Sequence, residues 1–148
     1  MRELLPLLPR PSRYAGIEDG AVRKRPDAVR LRVALAFPDL YEVGMSYLGQ
    51  KILYGIVNAR DSWWAERVMA PDRAAAAILR EHGAPLSTLE SDTPLARMDC
   101  VAFSITHELC YTNVLYMLDL AGIPLRHEDR PDDLGACPLV MAGGGALL

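Results

Sequence analysis

Apolar positions along the chain change their period several times, and each change marks an element. Residues 1–28 are rich in Pro, Arg and Gly and keep no period, which predicts an irregular N-terminal arm. Val29 to Phe37 passes from alternating to continuous apolar character, the pattern of a strand running into a buried position, and Pro38-Asp39 ends it. Residues 45, 48, 52, 53 and 56 are apolar at helical spacing, which predicts a helix from Met45 to Ala59. Arg67 to Ala70 reads as a short strand. Pro71-Asp72 then opens a helix, with Pro71 at its first position and Asp72 in its first turn. Ala74, Ala75, Ile78 and Leu79 form the apolar face of that helix, and Gly83 with Pro85 closes it. Leu86 to Leu89 adds a minor strand.

Asp99 to Ile105 is a second continuous apolar strand. A helix runs from there to Ala121 with Tyr111, Val114, Leu115, Leu118 and Ala121 on one face, and Gly122 and Pro124 end it. Pro138 to Ala142 is a buried-type strand leading into Gly143-Gly144-Gly145. Strands alternating with helices predict an α/β fold: a doubly wound parallel sheet of Rossmann or flavodoxin-like type with crossover helices. No helix follows the last strand, so the sheet is expected to be cut off after its fourth main strand, with arm 1–28 and domain 29–148. An unfinished parallel sheet leaves an apolar face and an unpaired edge, which predicts self-association unless the arm folds back over it.

Composition narrows the class. Of 148 residues, 51% are hydrophobic and 24% charged, the balance of a globular protein, and the net charge of −3 gives no footprint for nucleic acid. Arg23-Lys24-Arg25 reads as a solvated lead-in to the first strand. Leu4 to Leu8 is too short to span a bilayer. Cys100, Cys110 and Cys137 are odd in number and widely spaced, which does not resemble a disulfide framework, and a cytoplasmic location is expected. No cysteine spacing suits an iron–sulfur or zinc site. His107 and Glu108 read as polar rim residues, His82 as a helix-end cation, and His127 as part of a charged loop.

Ligands of such sheets sit outside the carboxyl ends of the strands. Three loops there carry unusual residues: Asp39 to Ser46, Ser104 to Glu108, and Gly143 to Gly145. Each alone has an ordinary reading. Asp39, Ser104 and Thr106 suit turns or helix caps, and glycines suit turns. Together they can face one crevice, and their glycines would let a large planar ligand approach the backbone.

In order, these loops resemble the signature of cobalamin-binding domains: D-x-H-x-x-G, then S-x-L or S-x-T, then G-G. Asp39 to Gly44 follows the first element with Tyr41 in the histidine position, Ser104 to Thr106 the second, and Gly143-Gly144 the third. The longer stretches Pro11 to Glu18, Ala34 to Ser46, Gln50 to Tyr54, Tyr111 to Leu125 and Pro138 to Gly144 resemble a radical SAM family whose proteins begin with such a B12-binding-like domain. That resemblance implies an accessory domain that performs no chemistry by itself and presents a corrinoid to a downstream radical SAM barrel. The [4Fe–4S] cluster and S-adenosylmethionine would belong to that barrel. It also implies cofactor-binding roles for Asp39, Tyr41, Gly44, Ser104, Thr106, Gly143 and Gly144. A phenol is a poor cobalt ligand at neutral pH. Two readings follow: cobalamin bound with Tyr41 beneath it and not ligated, or a crevice that has lost the cofactor. A cofactor-free docking module of the same fold is the alternative function.

Overall fold

The computed structural model describes residues 1–133 and 135–147; Leu134 and Leu148 lie outside them. Its centre is β1 (Leu31–Phe37), flanked by β2 (Trp63–Met69) on one side and β3 (Cys100–Ser104) on the other, with β4 (Leu139–Gly143) beyond β3. All pairings are parallel, and the order β2-β1-β3-β4 reverses direction between β1 and β3. The fold is therefore the doubly wound α/β type that the alternating pattern predicts. The crossovers are α1 (Tyr41–Ser46) with α2 (Leu48–Asn58), α3 (Arg73–Glu81), and α4 (Tyr111–Ala121).

Parallel strands are buried because crossover helices cover their faces. On one face Ala34, Ala36, Val68, Val101 and Phe103 pack with Ala76 and Leu79 of α3 and Met117 and Leu118 of α4. On the other, Leu35, Ala65 and Tyr54 of α2 form a smaller cluster. There α2 covers β1 and β2, while Leu139 and Met141 of β4, in register with Cys100 and Ala102, are about half exposed.

Several sequence expectations change. The helix expected from Met45 to Ala59 is two helices, because Tyr47 adopts an extended backbone and packs its ring on Phe37. The inner residues of α2 are Gln50 and Tyr54, and Leu48, Ile52, Leu53 and Ile56 are exposed. Strand β2 begins at Trp63 rather than Arg67. The Glu66-Arg67 pair hid it, since both charges are buried inside the strand. Asp72 is the N-cap of α3, accepting from the Ala75 N–H at 2.9 Å, so Pro71 precedes the helix. Leu86 to Leu89 is no strand. One antiparallel bridge joins Ser87 to Pro94, and the Leu89 N–H donates to the Arg67 carbonyl. In α4 the inner face is Met117, Leu118, Leu120 and Ala121, with Tyr111 and Leu115 outward.

The arm docks at the β2 side, away from β4. Leu8 and Tyr14 pack on Ala75 of α3, and Arg13 pairs with Glu42 and Asp72. The Arg23-Lys24-Arg25 run is not simply solvated. Lys24 Nζ donates to the carbonyls of Asn58, Arg60 and Trp63, where the α2 dipole favours a cation.

Two carboxylates are wholly buried. Glu66 accepts from the Arg32 guanidinium, the Thr88 hydroxyl at 2.7 Å, and both the N–H and hydroxyl of Ser91. Glu90 accepts from Arg67 Nε at 2.6 Å and from the Arg67 backbone N–H at 2.7 Å. The loop from Leu86 to Thr93 thus seals the outer edge of β2, with a side-chain carboxylate in the place of a neighbouring strand. Removing one member of a buried pair leaves the other charge uncompensated, at a cost of about 3–5 kcal/mol. Urea unfolding of Glu66→Ala should show a loss of that size. Arg126→Ala, which breaks an exposed pair with Glu128, should cost no more than about 1 kcal/mol.

Candidate functional site at the carboxyl ends of the strands

Because β1, β3 and β4 are parallel and adjacent, the three loops singled out in the sequence leave the same end of the sheet. Their side chains turn in different directions. Ser104 and Gly143 are in register at the ends of β3 and β4, on the face that α2 half covers. With Gly144 and Ile105 they meet Tyr47, Gly49, Ile52 and Leu53 around a hollow of about 370 Å³. Among the described residues, this hollow is where two of the three loops are brought together. Thr106 follows half-buried in the next stretch of chain. Neither Ser104 nor Thr106 caps α4, whose N-cap is Cys110.

The first loop faces elsewhere. Asp39 accepts from the Leu40 N–H at 2.7 Å and lines a separate hollow of about 440 Å³ with Pro71, Asp72, Thr112, Asn113 and Tyr116. Asn113 closes its floor by donating to the Pro38 carbonyl at 2.8 Å. The Tyr41 hydroxyl points to the arm, donating to Glu18 at 2.7 Å. Glu18 also accepts from Arg67.

The glycines differ in what demands them. A Cβ on Gly44 would lie 2.9 Å from Met69 Cγ, so packing of α1 against the sheet already requires glycine there. Gly144 has a φ of 137°, and its Cβ would fall 2.0 Å from the Ile105 carbonyl oxygen. Gly143 has nothing within 4 Å of a Cβ, which leaves its backbone open to an incoming group.

The aliphatic lining of the hollow from α2 was missed in the sequence because Ile52 and Leu53 show only as apolar positions at helical spacing. Their spacing was a true signal of one apolar face; what covers that face was not written in the spacing. At the rim of β3, His107 is exposed, and its Nε2 lies 3.5 Å from the buried Cys110 thiol. Among the described residues no group of three His, Cys, Asp or Glu side chains is placed to hold a metal ion. No helix among them is long and apolar enough to cross a membrane.

Burial, reinforced by the bond to Glu18, pushes the Tyr41 phenol up to about 12. Burial also pushes Tyr54 up to about 12, with Glu90 adding to it. The fold favours the neutral phenol in both, so the stability they contribute is whole below about pH 10, the ordinary phenol value. It is lost as the pH rises through about 12. Burial raises Tyr14 and Tyr116 as well, so ultraviolet titration should show Tyr41 and Tyr54 among several late-ionising tyrosines, and Tyr41→Phe should remove one of them.

Against known proteins, a family model described as "Radical SAM proteins, N-terminal" matches residues 49–148. The match takes in Ser104, Thr106, Gly143 and Gly144 and leaves out Asp39, Tyr41 and Gly44. Comparison with curated proteins gives no match, and comparison with solved structures gives none. With most of its length inside the family match, the chain belongs to the radical SAM proteins, as part of their N-terminal region.

Proposed function

We propose that this chain is an accessory domain that holds a corrinoid at the carboxyl ends of β3 and β4 for a catalytic radical SAM portion of the same polypeptide. The observation that carries this reading is the hollow shared by Ser104, Gly143 and Gly144. The residues fit such a ligand. Gly143 leaves room for an edge of a large group, Ser104 offers a hydroxyl, and Ile52 and Leu53 give an apolar wall. Asp39 and Thr106 belong to the same end of the sheet and would act from its margin, while Gly44 serves the packing of α1 on Met69.

The corrinoid supplies cobalt-centred chemistry. The [4Fe–4S] cluster and S-adenosylmethionine would be held by the catalytic portion, since the three cysteines here are buried and dispersed through the fold. Tyr41 would leave the cobalt without a protein nitrogen from the first loop, because a phenol has none to offer, and its hydroxyl is committed to Glu18. A second reading, a cofactor-free docking module, is favoured by one observation. Leu48, Ile52, Ile56, Leu139 and Met141 are all about half exposed or more on one side of the molecule.

Reconstitution with hydroxocobalamin followed by desalting separates the two. Retained corrin absorbance supports the cofactor reading, and a colourless protein supports the docking module. Gly143→Leu fills the open space and should lower cobalamin retention at least about tenfold, because the ligand and the new side chain compete for one volume. Its melting temperature should stay close to that of the parent chain. Electron paramagnetic resonance of the Co(II) form should show no splitting from a protein imidazole.

A further inference from the structure

A third hollow, of about 320 Å³, opens between the arm, the α1–α2 corner and β2. It uses different residues of α2 from the β3–β4 hollow: Gln50, Lys51 and Tyr54, with Asp19, Met45 and Arg67 around them. Its walls hold an acceptor without a donor and a donor on a poor acceptor. Gln50 is 2% exposed. Its Nε2 donates to the Leu35 carbonyl at 2.9 Å, and its Oε1 is the one buried side-chain polar atom without a partner among the described residues. A buried oxygen left that way costs free energy, and native structures rarely tolerate it without a reason. Arg67 is 8% exposed. It uses Nε on Glu90 and Nη2 on Glu18, but Nη1 meets only the Met45 thioether at 3.4 Å, a weak acceptor.

Charge decides what suits these unused groups. Asp19, Lys51 and Arg67 are the charged residues of its lining, and Arg67 is already paired with Glu18 and Glu90 behind it. A simple anion leaves the Gln50 oxygen and Asp19 without a donor. A simple cation leaves the Arg67 donor idle. A neutral molecule carrying both an anionic and a cationic end satisfies both.

We propose that this hollow binds a free α-amino acid as its zwitterion. The carboxylate lies toward Arg67 Nη1 and Lys51, and the ammonium toward Gln50 Oε1 and Asp19. A side chain of leucine size rests against Met45 and the Tyr54 ring. Gly44 is part of its lining, but the site uses none of the residues that line the β3–β4 hollow and stands or falls apart from it.

The test is a nuclear magnetic resonance titration of the 148-residue chain with L-leucine, read at the Gln50 side-chain amide and the Arg67 Nε–H. Isovalerate supplies the carboxylate alone and isopentylamine the ammonium alone. Saturable shifts of both signals with L-leucine, at concentrations about tenfold or more below either control, are expected. Lys51→Ala, an exposed substitution that leaves the fold intact, should weaken L-leucine about tenfold, and Gln50→Met should do the same. The proposal is overturned if L-leucine moves neither signal. It is overturned equally if isovalerate shifts them as well as L-leucine does, which would mark an anion site, or if Gln50 exchanges only with water.

Discussion

The structure depends on the burial of two carboxylates, Glu66 and Glu90, beside the edge strand β2. A charge taken out of water demands a counter-charge and hydrogen bonds in fixed positions. Glu66 draws Arg32 of β1 and the Thr88–Ser91 turn together. Glu90 holds Arg67 of β2, and Arg67 in turn holds Glu18 of the arm. These bonds tie the N-terminal arm, the edge strand and the loop after α3 into one frame. That frame sets where the first loop lies, since Tyr41 reaches the same Glu18.

Much of the architecture was legible in the residue pattern because parallel strands bury both faces and read as apolar runs. β1 and β3 illustrate this: Ala34 to Phe37 and Cys100 to Phe103 are apolar throughout, and both are central in the sheet. β2 was only half legible, because Glu66 and Arg67 look solvent-facing unless their partners are known, and those partners lie more than twenty residues away in sequence. The orientation of α2 was not legible for the converse reason. Periodicity finds an apolar stripe but does not say which surface it meets, and here Gln50 and Tyr54 face the sheet while Ile52 and Ile56 do not.

The candidate site divides along the same line. Loops at strand ends follow from topology alone, so the common end of the sheet was foreseeable from alternating strands and helices. Side-chain direction was not, because it depends on contacts with the arm. Tyr41 and Gly44 face inward toward Glu18 and Met69, whereas Ser104 and Gly143 face the half-covered side of the sheet. Family membership rests on the part of the chain that contains the second group.

The unequal reasons for the glycines bear on how relatives should diverge. Gly44 and Gly144 are fixed by sterics of the fold itself, so selection would keep them even in lineages that had abandoned any ligand. Gly143, with empty space where a side chain would stand, has no such internal guard. Were a corrinoid held as proposed, a lineage that lost it would drift first at Gly143 and Ser104, and its history would be written at those two positions rather than at the more conspicuous glycines.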